Sequence, residues 1–402
     1  RYPSLKKFKV GVIGCGAVAE TCHLPAAKKI PNIKISALAD IREERAEALA
    51  EKFNLKNVSI YTNYLQMLKD SDIDTVWILT PPRLHAKMVV DSLNHEKNVL
   101  CEKPLATSFQ ETGRIKKTLE KMREASYSPV LMPAHNFIFT PCFERAVRLL
   151  KDGRIGRVKK IIGYAASNLS FYKAKTDFRL QAKGGVIEDQ LPHVIYLSQD
   201  LGGSCVKVIS VKPRLEGRTV VQDVAVETVL ESGVYTSLSA AWTGFIPTLK
   251  FDIIGESGRI YMDLLRKPYN LTIVKDGEKE NVQMGRRFLQ YLDVLRGNHP
   301  SYLNEHKHFI ELVRGNVKPR VTVESGFHLV ETLESILRTL DESAASHVGN
   351  EIVSIIRVGE DVEATVRKSV DLLGGLKIKR DAKVVIVRTR QVRCTLSRSR
   401  YH

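Results

Sequence analysis

Hydrophobic residues in the first hundred positions switch repeatedly between two spacings. Lys9–Ile13 is a short apolar run, followed by a glycine turn and a helical stretch through Ala27. Ile33–Ala39 predicts a second strand, and Arg42–Phe53, rich in Ala and Glu, has helical spacing. Thr75–Leu79 predicts a third strand, Leu84–Leu93 a helix, Asn98–Cys101 a fourth strand, Phe109–Ser126 a helix and Val130–Met132 a further strand. Strands alternating with helices in this rhythm join through right-handed crossovers into a doubly wound parallel sheet covered on both faces.

The pattern changes beyond residue 150. Val158–Ser167, Cys205–Leu215, Val220–Glu231, Val234–Thr243, Leu249–Ile254, Arg259–Asp263 and Leu271–Lys275 are apolar, β-branched runs separated by turns such as Glu231-Ser232-Gly233 and Asp276-Gly277. Such spacing predicts a large, mostly antiparallel open sheet, an α+β unit completed by helices over Arg286–Leu295, Leu303–Val313 and Gly326–Leu340. Residues 350–402 break the pattern again. Glu351–Val358, a helical Asp361–Leu373 and Lys383–Val387 restart a βαβ-like rhythm, and the chain then turns basic. That segment reads either as the truncated opening of a third domain or as a frayed basic tail. The expected division is 1–133, 134–349 and 350–402.

Composition narrows the class. Hydrophobic residues at 43% and charged residues at 27% are those of a globular chain. No stretch approaches the ~18 uninterrupted apolar residues of a membrane span, and Arg1–Lys7 runs into the first strand without a separate export region. The six cysteines contain no Cys-x-x-Cys pair, which fits a reducing compartment and offers no zinc spacing, so a cytoplasmic, metal-free protein is expected. Sixty-two basic against 45 acidic residues give +17. Nine Lys/Arg from Lys377 onward against Asp381 alone account for +8 of it. The rest is spread thinly, and Tyr401 is the only aromatic after Lys377, so a nucleic-acid face is not expected. His306 and His308 lie two apart and His299 and His328 are isolated, so surface or capping roles are expected of them.

Candidate chemistry begins at Gly14-x-Gly16-x-x-Ala19, between the first strand and its helix. Gly14 permits a sharp turn, Gly16 lets a pyrophosphate approach bare backbone next to Ala17 and Val18, and the small Ala19 lets the helix pack on the strand. The second strand ends in Asp40, near the spacing expected for an acid that accepts ribose hydroxyls. A carboxylate there favours NAD; Arg42, close by, could accept the 2′-phosphate of NADP. Thr80-Pro81-Pro82-Arg83-Leu84-His85 and Glu102-Lys103-Pro104 follow later strands, at the carboxyl edge where open α/β sheets bind ligands. Lys103 could stand as a cation beside a developing alkoxide. Downstream, Asp189 and His193 are one helical turn apart, suited to proton transfer. Arg179 and Lys183, before Gly184-Gly185, and His135 and Asn136, after the fifth strand, are candidates for substrate contact.

Together these motifs, in this order, resemble the glucose–fructose oxidoreductase / inositol dehydrogenase / rhizopine-catabolism (Gfo/Idh/MocA) family of NAD(P)-dependent oxidoreductases. The resemblance covers Lys9 to Glu342 and includes Asn136 through Pro141 and Gly153-x-x-Gly156. It implies a Rossmann domain and a second domain whose open sheet covers the nicotinamide and carries substrate contacts; an exposed antiparallel sheet face would in addition favour pairing into homodimers or homotetramers. It implies that Lys103 and His193 flank the reacting carbon with Asp189 nearby, that Glu102-Lys103-Pro104 packs on the cofactor, and that His85 and Thr80–Pro82 line its groove. The substrate would be a sugar, sugar acid or cyclitol. Ile138 replaces a frequent arginine, Val186 replaces a frequent third glycine, and Gln190-Leu191-Pro192 is unusual between the acid and the histidine. A rival reading is a non-catalytic dinucleotide sensor that regulates a protein partner, which would not need the Lys103, Asp189 and His193 set.

Overall fold

The computed structural model describes residues 7–31, 33–168, 184–214, 220–285, 299–356, 377–381 and 384–388. Six parallel strands, β1 (Phe8–Ile13), β2 (Ile33–Ala39), β3 (Ser59–Tyr61), β4 (Thr75–Ile78), β5 (Asn98–Glu102) and β6 (Leu131–Ala134), form one sheet in the order 3-2-1-4-5-6. Their continuous apolar runs are needed because both faces are covered: Val12, Leu38, Trp77, Ile78 and Leu100 are fully or almost fully buried. Helices α1 (Leu24–Ala27, entered through a π-helical stretch Ala19–His23), α2 (Glu43–Lys52), α3 (Tyr64–Asp70), α4 (His85–Asn94) and α5 (Phe109–Glu124) make the crossovers. The strand order reverses between β1 and β4, which opens a crevice at their carboxyl ends. The three-residue β3 and the seven-residue α3 carry too little periodicity to be read from the chain.

After α6 (Pro141–Lys151) comes β7 (Val158–Asn168), then α7 (Val186–Asp189), α8 (Leu191–Gly202) and strands β8 (Cys205–Arg214), β9 (Asp223–Leu230), β10 (Tyr235–Ala241), β11 (Thr243–Gly255), β12 (Arg259–Asp263), β13 (Asn270–Lys275) and β14 (Glu278–Gln283). These eight strands form a second sheet in the order 14-13-12-11-7-10-9-8, antiparallel except for β7 beside β10. Alternating burial along β9 and β10 shows one face turned to the core. On that face α8 lies across β7 and β10, with Val194 directly over Gly163. The β14 sequence, EKENVQ, is polar except for Val282; its partner β13 places it, through the register Leu271↔Val282, and not its own pattern.

Helices α9 (Pro300–Val313) and α10 (Val323–Ile356) follow. The expected strand at Glu351–Val358 is overturned as far as Ile356, which ends α10. No proline interrupts Val323–Ile356, and a helix already nucleated propagates through β-branched residues at small cost per position. Downstream, β15 (Lys377–Asp381) pairs antiparallel with β16 (Val384–Arg388), a hairpin and not a βαβ unit. The helices expected over Arg286–Leu295 and Asp361–Leu373 lie outside the described residues. The chain divides into two compact units, Arg1–Leu337 and Arg338–His402, and both large sheets belong to the first. Among the described residues no helix is long and apolar enough to cross a membrane.

Candidate active site

The glycine turn after β1 is held closed by two strands. Gly14 donates to the Ala39 carbonyl at 2.8 Å, and its φ of +96° together with a Cβ that would fall 2.8 Å from the Leu79 carbonyl admits only glycine. Asp40, at the end of β2, accepts from the Cys15 amide (2.8 Å) and, through its other oxygen, from the Arg42 amide (3.0 Å). Its carboxylate is thus fixed beside the turn, and Arg42 is exposed. Ala19 is completely buried, as close helix–strand packing requires. A Cβ at Gly16 would meet no protein atom, so packing does not demand glycine there. What it provides is bare backbone, a cradle that fits a pyrophosphate approaching the amides that follow.

A pocket of 610 Å³ opens beside this turn. Ala17, Val18, Thr80, Pro81, Pro82, Glu102, Lys103 and Pro104 line it from the parallel sheet; Asn136, Asp189 and His193 reach it from later in the chain. Ala165, Ala166 and Leu249 close it from the second sheet, and Val330 and Leu333 of α10 add apolar wall. Lys103 and His193, ninety residues apart in sequence, therefore face one cavity. Expected contacts Arg179 and Lys183 lie outside the described residues.

His85 is not part of the lining. It is fully buried, with Nδ1 2.7 Å from the Pro104 carbonyl and Nε2 2.7 Å from the Thr80 carbonyl. It ties together the two loops that line the pocket instead of touching what enters it. His135 likewise lies behind the wall, fully buried and stacked on Tyr196 with centroids 4.4 Å apart, and burial pushes it down to about 3. Asn136 reaches the cavity, but both ends of its amide are engaged, by Tyr196 (3.3 Å) and Ser301 (3.0 Å).

The Lys103 ammonium donates to the Asp189 carbonyl at 2.5 Å, and its backbone amide donates to Glu102 at 3.0 Å. Burial works to raise Glu102, but the hydrogen bond and charge of His23, with Lys103, overcome it and hold the carboxyl at about 2. The Asp189 side chain accepts from the Trp242 indole and from Gln190, each at 2.9 Å. His193 Nδ1 instead meets the Tyr196 hydroxyl at 3.1 Å. Asp189 thus acts on the imidazole through its charge, and the hydrogen-bond partner is one helical turn further along α8. Burial, and next the Lys103 ammonium, depress His193 well below the usual histidine range, so it is neutral at neutral pH.

His306 overturns its expected surface role. It is fully buried, stacked on Trp77 at 4.0 Å and 3.1 Å from His23, which in turn bonds Glu102 at 2.9 Å. Its position on α9, one turn from Tyr302 and Ile310, puts it on the core-facing stripe, a cue its neighbour His308 obscured. His299 does cap α9, accepting from the Ser301 amide. Tyr196 was legible as the i+3 neighbour of His193; His299 was expected only as a surface or capping residue, and nothing local marked Trp242 or Ser301.

A doubly wound sheet with a glycine turn, a fixed acid at the end of β2, and a cation and imidazole facing one cavity fit a dinucleotide-dependent oxidoreductase. Residues 8–128 match the oxidoreductase family with the NAD-binding Rossmann fold (Gfo/Idh/MocA), and residues 147–346 match that family's C-terminal alpha/beta domain. The chain belongs to this family, whose enzymes use NAD or NADP. It is 24% identical over 328 residues to the myo-inositol 2-dehydrogenase of Thermotoga maritima, covering 79% of this chain and 92% of that one. Its match to the uncharacterized oxidoreductase YrbE of Bacillus subtilis is 28% over 151 residues, 38% of this chain and 42% of YrbE. Among solved structures, levoglucosan dehydrogenase in complex with NADH and L-sorbose superposes with a TM-score of 0.72 at 20% identity, covering 84% and 98% of the two chains. A 3-ketoreductase from Actinomadura kijaniata in complex with NADP and TDP-benzene gives 0.70 at 23%, covering 83% and 98%. At those identities the two structures establish the shared fold.

Proposed function

We propose that this protein transfers a hydride between the nicotinamide C4 and a hydroxyl-bearing carbon of a sugar, sugar acid or cyclitol. The observation that carries the reading is the convergence of Lys103 and His193 on one pocket next to the glycine cradle. Bound NAD supplies the hydride acceptor in the oxidation and, reduced, the donor in the reverse direction. His193, neutral, takes the proton of the substrate hydroxyl as the C–H bond breaks. Lys103, held by the Asp189 carbonyl, presents its ammonium to the charge growing on that oxygen. Asp189, held by Trp242 and Gln190, keeps a negative charge near the imidazolium that forms. The cofactor contacts proposed are Gly14 to Val18, Asp40, Thr80 to Pro82 and Glu102 to Pro104, with Arg42 at the rim and His85 acting through the loops it joins. Asp40 favours the free ribose hydroxyl of NAD over a 2′-phosphate. Asn136, Arg179 and Lys183 are proposed on the substrate side.

The test is a screen of polyols, sugar acids and cyclitols against NAD and NADP, following absorbance of the reduced ring. Saturable turnover with at least one class, abolished in His193→Ala, is expected; dinucleotide binding without turnover on any class would leave a sensor as the reading. We also propose a homodimer or homotetramer through the second sheet. The face opposite α8 exposes Ile162 (38%) and Tyr261 (37%), apolar area suited to a second copy.

A further inference from the structure

We propose that Tyr196, Asn136, Ser301 and His299 fix the tautomer of His193, through a hydrogen-bond chain of one polarity anchored on the Leu264 carbonyl. This rests on the reading of His193 as the base. The chain starts where the choice is forced. The Leu264 carbonyl can only accept, so His299 Nε2, 2.8 Å away, carries a proton. His299 is partly buried and neutral, desolvation having brought it down to about 4, so its Nδ1 is the acceptor. The Ser301 amide already points at that Nδ1 as the cap of α9, which requires the same assignment independently.

Ser301 Oγ, 2.7 Å from His299 Nδ1, must then donate to it and accept from Asn136 Nδ2 at 3.0 Å. With its amide so turned, Asn136 offers Oδ1 to the Tyr196 hydroxyl at 3.3 Å, and Tyr196 spends its only proton there. The Tyr196 oxygen is left as an acceptor, for the Phe137 amide at 3.3 Å and for His193 Nδ1 at 3.1 Å. His193 therefore carries its proton on Nδ1 and presents Nε2 as a lone pair. Turning Asn136 over would reverse the chain and set an unprotonated His299 Nε2 against the Leu264 carbonyl, two acceptors face to face. Tyr196, Asn136 and Ser301 are nearly or fully buried, and His135 clamps the Tyr196 ring face to face, which limits the alternative partners water can offer these groups. These four are positioning residues: they act through His193.

Full-length protein labelled with 15N-histidine reports the proton's place directly, since protonated and unprotonated ring nitrogens differ widely in shift; the His193 signals are identified by their loss in His193→Asn. At neutral pH the wild type is expected to show protonated Nδ1 and bare Nε2. Tyr196→Phe should mix in the other tautomer and lower kcat by roughly 10²-fold or more, the scale on which a wrong tautomer disables a general base, at unchanged KM for NAD. His299→Gln, which keeps an acceptor toward Ser301 and a donor toward Leu264, should retain both tautomer and kcat, whereas His299→Leu should lose both. A proton on Nε2 in the wild type overturns the proposal, as does a tautomer unmoved by Tyr196→Phe. Unchanged turnover in His193→Ala would instead defeat the reading of His193 as base, and the wild-type spectrum would still decide the chain's polarity.

Discussion

Lys103 illustrates how much a single side chain can depend on residues distant from it in sequence. Its position after β5 is set locally, but the ammonium is aimed by the carbonyl of Asp189, eighty-six residues later. Removing one preorganised charge at a developing oxyanion costs about 3–4 kcal/mol, so Lys103→Ala should lower kcat by about 10²–10³ with NADH binding retained. Stopped-flow turnover beside a fluorescence titration checks both halves; undiminished kcat would remove Lys103 from the chemistry. Asp40 invites a different measurement. Both its oxygens are held by backbone amides beside the cradle, so Asp40→Ala removes the repulsion of a 2′-phosphate. The ratio of NAD to NADP affinity should fall toward NADP, and an unaltered ratio would take Asp40 out of the ribose site.

Elements decide where these groups stand. α7 and α8 carry Asp189 and His193, and their entry is pinned at Gly185, whose φ of +52° and a Cβ that would lie 2.3 Å from the Val221 carbonyl exclude any side chain. Gly185→Ala should cost about 1–3 kcal/mol of stability, read as a lowered urea midpoint, and reduce kcat by displacing α7. An unmoved midpoint would show that the turn relaxes freely. Most elements were legible beforehand. Ile33–Ala39 and Arg259–Asp263 fall where their apolar patterns put them, because strands buried on one or both faces must repeat every residue or every second one. β14 and the run Glu351–Ile356 were not. A polar edge strand owes its pairing to a neighbour, and β-branched residues follow whichever element is already growing.

Across the whole molecule, buried titratable groups predict the response to acid. Histidines 85, 135, 193, 299, 306 and 308 are all depressed, chiefly by burial. Glu144, Glu188 and Glu305 are raised by the same cause. As pH falls below 6.5 the unfolded chain gains protons on these six imidazoles before the folded one does, and the three raised carboxyls oppose this with fewer groups. The unfolded state binds more protons, so stability falls as pH falls through that window. Calorimetry from pH 7 to 5 should show a decreasing Tm; a constant or rising Tm would mean those imidazoles are protonated in the fold. Assembly belongs to the same scale. Light scattering should give a dimer or tetramer, and Ile162→Arg should shift it toward monomer; a monomeric wild type would leave the sheet face without a partner copy.

The sequence by itself determined most of both sheets and the glycine turn, because each rests on local periodicity or on a turn that only one residue type can make, and its motifs together resembled the family to which the chain belongs. It also picked out Lys103, Asp189 and His193 as candidates. What holds them was decided by the tertiary structure: Tyr196 and not Asp189 meets the imidazole, Trp242 and Gln190 take the Asp189 carboxylate, and His306 is packed on Trp77. Hydrogen-bond partners converge from strands and helices far apart in the chain, and only folding brings their donors and acceptors within reach.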